Sequence, residues 1–254
     1  MNPLYNQIVL FGDSITQFGH DPENYGWVAA LQSSYVRKFD VLNRGFSGYN
    51  TEWAKILLPQ LLPKNYSPSN FPKIILLTIF FGANDAAIES SIQHINIDKY
   101  KENLIHMVNL IKNPDSPYYN PETKILFITP PPLDEKSWEE TCASKGDEPN
   151  RKATITKKYA EICVETALEL NVPVVNLWKI INDRVILRDY LTDGLHLNSL
   201  GNKTLFIAVM DAIKNNWPDL VPENVKDIFP DWRNVNAKDP GSSLKLGDFI
   251  PYQL

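Results

Sequence analysis

Three residues that lie far apart in the chain, Ser14, Asp193 and His196, have the types needed for acyl transfer. Ser14 stands in Gly-Asp-Ser-Ile-Thr at residues 12–16, and the other two stand in Asp-Gly-Leu-His at residues 193–196. A serine hydroxyl becomes a nucleophile when an imidazole accepts its proton, and a carboxylate at Nδ1 fixes the tautomer that leaves Nε2 free. The spacing of Asp193 and His196 lets one tight turn bring them together. The pattern therefore predicts a nucleophile with its acid–base pair.

Two motifs in the first half of the chain could stabilise the anion that such an attack creates. Gly45 follows a predicted strand, and a glycine there lets a backbone N–H approach a substrate without side-chain obstruction. Asn84 lies in Gly-Ala-Asn-Asp at residues 82–85, directly after a long apolar run, and its amide could donate to an oxyanion. We therefore predict that Gly45 and Asn84 bind the oxyanion.

Each motif also has a purely structural interpretation. The residues around Ser14 could cap the next helix, Asp193 and Gly194 are typical of a tight turn, and Asn84 could form an Asx turn. Asp85 could orient Asn84 or cap the turn that follows it, and we favour the cap. The occurrence of all these motifs in one chain and in this order favours catalysis over the simpler alternatives.

The motifs are placed by an alternation of strand-like and helix-like segments. The predicted strands are residues 8–11, 41–42, 74–80, 124–129 and 174–176. The predicted helices are residues 27–39, 51–62, 98–111, 154–170 and 200–217. Such alternation predicts a parallel sheet with helices on both faces, and ligands bind at the carboxyl ends of its strands. We predict an α/β fold, a single three-layer domain of flavodoxin-like type with a central parallel sheet of about five strands.

The four motifs resemble the signature blocks of the SGNH hydrolases, also called the GDSL esterases and lipases. The match covers most of the chain, and it departs from the family name only in having Ile15 in place of leucine. The resemblance implies the same fold and a catalytic triad of Ser14, Asp193 and His196.

The same resemblance implies that the Ser14 N–H, the Gly45 N–H and the Asn84 side chain form the oxyanion hole. The residues around the motifs, together with the late Asp-Trp-Arg at residues 231–233, are most similar to the eukaryotic isoamyl acetate-hydrolysing esterases. That similarity implies short-chain esters as substrates, with acetate esters of small alcohols foremost. It also implies that a homodimer is possible.

Composition excludes several other classes of function. The chain has 254 residues, 43% of them hydrophobic, which suits one domain at residues 1–254. A net charge of −5 does not favour binding to nucleic acid or to an anionic membrane. The sequence contains no apolar run of the roughly 20 residues that a membrane span needs, and the start lacks a signal peptide pattern, so we predict an intracellular, cytoplasmic protein. No metal site and no cofactor are expected, because histidines, cysteines and carboxylates do not cluster in the sequence.

Two irregular segments could contribute to the site or to assembly. Residues 133–150 are predicted as a long loop that either lines the substrate pocket through Trp138 or is a solvated excursion, with Cys142 exposed. Cys163 is predicted to be buried in the core. Residues 224–254 are predicted as a C-terminal tail that wraps the domain or contributes to a dimer contact.

Other functions remain compatible with the same residues. A deacetylase or a lysophospholipase-like hydrolase would use the same triad on a different ester. A small-ligand binding module would need the strand-end position but not the proton transfer. A flavin or phosphate binder would use residues 12–16 as its cradle.

Overall fold

A five-stranded parallel sheet forms the centre of the protein in the computed structural model, which describes residues 5–65, 67, 72–184 and 186–244. The spatial order of the strands is β2-β1-β3-β4-β5, which is the flavodoxin-like order. All four pairings are parallel. The strands are β1 (Gln7–Gly12), β2 (Asp40–Gly45), β3 (Ile74–Phe80), β4 (Lys124–Ile128) and β5 (Val174–Val175). The predicted fold class and all five predicted strands are confirmed.

Helices cover both faces of this sheet. They are α1 (Ser14–Gln17), α2 (Trp27–Ser34), α3 (Thr51–Leu61), α4 (Ile97–Lys112), α5 (Glu135–Lys145), α6 (Ala153–Glu169), α7 (Leu177–Asn182), α8 (Ser199–Asn216) and α9 (Pro240–Ser243). Because side chains alternate along a strand, Ile8 and Leu10 of β1 pack in one core with α2, α7 and α8. Val9 and Phe11 pack in the other core with α3, α4 and α6. The two cores and the sheet between them make three layers.

The strand order brings distant motifs to one edge of the sheet. β1 lies between β2 and β3, so the segments that leave these three strands all start from neighbouring carboxyl ends. At such a point the connections from adjacent strands run to opposite faces and leave a crevice between them. The segments carrying Ser14, Gly48 and Asn84 meet at this crevice.

The clearest difference from the sequence prediction is helix α5, which lies within the segment predicted as a loop. The Asp134 side chain caps its first turn by accepting from the Ser137 N–H, and Gly146 ends it in the left-handed conformation. Cys142 was predicted to be exposed, but it is buried at 4% exposure on this helix. The prediction was wrong because α5 is mostly polar and gives no apolar stripe, although its cap and its terminal glycine were visible in the sequence. The burial predicted for Cys163 is confirmed.

The segment after α8 packs against the turn that follows α2. Val225 and Ile228 are buried, and the Ile228 N–H donates to the Arg37 carbonyl at 3.0 Å. Asp227 forms an ion pair with Lys38 at 3.0 Å. Residues 245–254 of the predicted tail lie outside the described residues, and its role in a dimer stays a prediction. Within the described ranges, no helix is both long enough and apolar enough to cross a membrane.

Candidate active site

The three residues predicted to form the triad lie in one hydrogen-bonded chain. Ser14 is the first residue of α1, and Asp13 alone separates it from the end of β1. Its Oγ lies 2.9 Å from Nε2 of His196. Nδ1 of His196 lies 2.7 Å from Oδ2 of Asp193. With a proton on Nδ1, the imidazole presents an unprotonated Nε2 to the serine hydroxyl.

The loop that carries Asp193 and His196 is held by the aspartate itself. Asp193 Oδ1 accepts from the backbone N–H groups of Leu195 at 3.0 Å and His196 at 2.8 Å. Burial disfavours the charged carboxylate, but the hydrogen bonds and the charge of His196 outweigh it, and the pKa of Asp193 falls to about 2. Asp193 is therefore a carboxylate at any pH near neutrality.

A cavity of about 430 Å³ opens beside Ser14 and His196. Ser14, Gly48, Asn84 and His196 all line it. Asn84 is buried, and one N–H of its side-chain Nδ2 donates to the Tyr49 carbonyl at 2.9 Å, which leaves the other N–H for a ligand. Among hydrogen bonds between described residues, the N–H groups of Ser14 and Gly48 have no acceptor.

Gly45 does not present its N–H to this cavity. Strand β2 continues through Gly45, which pairs with Gly12, and the Gly45 N–H donates to Asn43 Oδ1 at 2.8 Å. A side chain at Gly45 would collide with the backbone of Gln17, so the glycine permits close packing of α1 on β2 and not the approach of a substrate. The oxyanion role predicted for Gly45 is not supported by this geometry.

Gly48 is the glycine that borders the cavity. It lies three residues beyond Gly45 and adopts a φ of +82°, which favours glycine. The sequence signal for it was present as the second glycine of Gly-Phe-Ser-Gly at residues 45–48. Its position could not be separated from that of Gly45 without knowing where β2 ends.

Arg151 and Gln93 contact Asn84 and were not predicted from the sequence. Nη2 of Arg151 lies 2.7 Å from Asn84 Oδ1, and Nε2 of Gln93 donates to the same oxygen at 3.2 Å. Both residues line the cavity. Neither belongs to a motif, so only their position in the folded chain distinguishes them.

Two buried carboxylates lie behind the site. Burial raises the pKa of Asp13 to about 6 and that of Asp85 to about 7. Asp85 was predicted to cap its own turn, but its Oδ1 accepts from the N–H of Thr51 at 3.0 Å and from the Thr51 hydroxyl, at the start of α3. The prediction was wrong because the partner lies 34 residues earlier in the chain.

The outer wall of the cavity comes from α5 and the residues after it. Trp138, Thr141, Cys142 and Lys145 of α5 line the cavity, so this segment borders the candidate active site. The lining also includes the exposed charged residues Lys145, Asp147 and Glu148. Over the described ranges, the structure holds no group of three or more His, Cys, Asp and Glu residues placed to bind a metal ion.

Comparison with known proteins identifies the family of the chain. The model of the GDSL-like Lipase/Acylhydrolase family matches residues 10–204, which include all four motifs. The chain belongs to this family. Among its GDSL relatives, the human isoamyl acetate-hydrolyzing esterase 1 homolog is 43% identical over 96% of this chain and 94% of its own length. The isoamyl acetate-hydrolyzing esterase of Saccharomyces cerevisiae is 33% identical over 94% and 98%.

A solved structure of a lipase/acylhydrolase supports the fold. The lipase/acylhydrolase from Enterococcus faecalis is 26% identical and superposes with a TM-score of 0.62. The superposition covers 87% of this chain and 98% of that one. The central sheet and its flanking helices are therefore those of the GDSL lipases and acylhydrolases.

Proposed function

We propose that this protein is a serine esterase that hydrolyses small carboxylic esters through an acyl-serine intermediate. The observation that carries the proposal is the chain of two short hydrogen bonds that joins Ser14 Oγ to His196 and His196 to Asp193. This arrangement allows a proton to leave the hydroxyl as it attacks. Membership of the GDSL family and the names of the relatives support an ester as substrate.

The reaction has two steps. Ser14 Oγ attacks the ester carbonyl while His196 Nε2 takes its proton, and Asp193 stabilises the imidazolium that results. The alcohol leaves with the proton from His196. Water then attacks the acyl-serine with His196 again as the base, which releases the carboxylic acid and restores the hydroxyl of Ser14.

The negative charge on the tetrahedral oxygen needs donors that are already in place. We assign this role to the Ser14 N–H, the Gly48 N–H and the free N–H of the Asn84 side chain, because all three residues line the cavity. Donors fixed before the reaction stabilise the developing charge without the cost of turning toward it. Gly48 takes the place that the sequence analysis gave to Gly45.

Acetate and other short-chain esters of small alcohols are the proposed substrates. A cavity of about 430 Å³ suits a small ester, and two relatives carry isoamyl acetate in their names. The exposed charged residues of the lining, Lys145, Asp147 and Glu148, favour one second candidate, a deacetylase whose substrate has a polar alcohol part. An intracellular location and a homodimer stay predictions.

Hydrolysis of p-nitrophenyl esters from acetate to palmitate tests the proposal. We expect fast turnover of acetate, declining with chain length, and its loss in Ser14→Ala. Ser34→Ala is the matched control, because that hydroxyl donates to the Ala30 carbonyl within α2 and does not line the cavity. Activity that survives Ser14→Ala would exclude Ser14 as the nucleophile, and comparing isoamyl acetate with acetylated sugars would separate the two candidates.

A further inference from the structure

The buried guanidinium of Arg151 lies directly behind Asn84 at the candidate active site. We propose that Arg151, with Gln93, is a positioning residue that holds the Asn84 amide with its Nδ2 toward the oxyanion. The proposal rests on the proposed function, in which Asn84 donates to that oxyanion. The proposal gives a role in the active site to Arg151 and Gln93, which lie outside the four sequence motifs.

Arg151 is brought to Asn84 by a short backbone pairing. Arg151 forms an antiparallel bridge with Ala87, in the segment that follows β3, and the Ile88 N–H donates to the Asn150 carbonyl at 2.9 Å. Nε of Arg151 donates to the Ala83 carbonyl at 3.1 Å. Arg151 is thus fixed to the residues on both sides of Asn84.

The guanidinium is buried, and its direct hydrogen-bond partners are all neutral. Arg151 is 4% exposed, and its hydrogen bonds go to the neutral oxygens of Ala83, Asn84, Gln93 and Asn150. Among the described residues no carboxylate is in direct contact with it, and Asp13 and Asp193 act on it only through the longer-range attraction of their charges. Removing a charge from water is costly unless it is well compensated, so a residue used only for packing would not need this charge.

A guanidinium fixes which way an amide faces, because it donates hydrogen bonds and accepts none. Asn84 Oδ1 faces two donors, Nη2 of Arg151 at 2.7 Å and Nε2 of Gln93 at 3.2 Å. If the amide turned over, its NH₂ group would oppose both donors, and its oxygen would face the Tyr49 carbonyl. Such a turn would also present an oxygen to the oxyanion and repel it.

Gln93 links the two sides of the proposed oxyanion hole. Its Nε2 donates to Asn84 Oδ1 and to the Gly48 carbonyl at 2.9 Å, while its Oε1 accepts from Arg151 Nη2 at 2.9 Å. The positively charged guanidinium of Arg151, which donates to Asn84 Oδ1, also polarises the amide. This makes the N–H of the amide a stronger donor to a developing anion. The fixed orientation and the polarisation of the amide both stabilise the negative charge that is largest in the transition state.

A double-mutant cycle with p-nitrophenyl acetate tests this role. We expect Asn84→Ala to lower kcat by about 100- to 1,000-fold, as for the loss of one oxyanion donor. We expect Arg151→Met to lower kcat by about 10- to 100-fold with KM changed by less than about threefold, because the effect passes through one such donor. In the Asn84→Ala background, Arg151→Met should have almost no further effect.

The control is Arg188→Met, which removes an arginine that bonds to Ser137 and Glu140 and does not touch Asn84. It should keep the wild-type kcat. Multiplicative losses in the Arg151→Met/Asn84→Ala double variant would overturn the proposal, since Arg151 would then act independently of Asn84. A change in KM alone would also overturn it.

Two milder variants decide the matter if Arg151→Met does not fold. Arg151→Lys keeps the charge but loses the paired Nη2 contacts, and Gln93→Leu removes one donor to Asn84 Oδ1. We expect kcat to fall in both while the melting temperature stays near wild type, and an unchanged kcat in both overturns the proposal. Full activity in Asn84→Ala together with inactivity of Ser14→Ala would overturn the positioning role and leave the esterase function standing.

Discussion

Replacing Asp193 by asparagine tests the proton path of the proposed triad most directly. Asp193 Oδ1 accepts two backbone N–H groups, so the asparagine oxygen will take that place and its NH₂ group will face Nδ1 of His196. Nδ1 must then accept a hydrogen bond, and the ring proton moves to Nε2. A protonated Nε2 cannot accept the proton of Ser14, and this tautomer costs about 10,000-fold in rate.

The asparagine side chain could restore an unprotonated Nε2 only if its amide turned over, so that its oxygen faced Nδ1 of His196. That turn would lose the two hydrogen bonds from Leu195 and His196, which costs about 3 kcal/mol at about 1.5 kcal/mol each. Because about 1.4 kcal/mol corresponds to a factor of ten, the turned form would make up about 1% of the molecules. The expected kcat/KM of Asp193→Asn is therefore between about 0.01% and about 1% of the wild-type value.

The assay is the hydrolysis of p-nitrophenyl acetate, with the melting temperature measured in parallel. Asp134→Asn is the control, because Asp134 caps α5 beside the same loop and asparagine caps a helix equally well. The control should keep its activity. If Asp193→Asn kept more than a tenth of the wild-type kcat/KM, the assignment of Asp193 and His196 as the acid–base pair would be wrong.

Two further predictions concern pH. The kcat/KM should fall on acidification, because His196 must be neutral to accept a proton. The pKa of Asp193 is about 2, so Asp193 cannot cause that fall, and activity that stays constant down to pH 4 would exclude a histidine base. The second prediction concerns Asp85, whose pKa is raised by burial from 3.8 to about 7. The unfolded chain releases this proton first, so the free energy of unfolding should fall by up to about 4 kcal/mol as the pH rises from about 4 to 7. Asp85→Asn should lose that part of the pH dependence in urea unfolding, and equal slopes for the two proteins would contradict it.

Much of the fold could be predicted because its signals are local. Strand β3 is a nearly unbroken apolar run, and α4 carries an apolar stripe at helical spacing, with Tyr100, Leu104 and Met107 all buried. Each of these patterns extends over a few neighbouring residues. Helix α5 was not predicted because its residues are mostly polar. Its one aromatic side chain, Trp138, does not by itself form an apolar stripe.

The candidate triad and the sheet that positions it could be predicted from the amino-acid sequence. Ser14, Asp193 and His196 belong to short motifs whose chemistry depends on residue types and on spacings of a few residues. The glycine that borders the cavity and the residues that contact Asn84 could be identified only in the folded protein. Gly48 replaced Gly45 because the pairing of β2 engages Gly45, and Arg151 reaches Asn84 across 67 residues of chain. Contacts of that range depend on how segments pack, and packing leaves no local pattern in a single sequence.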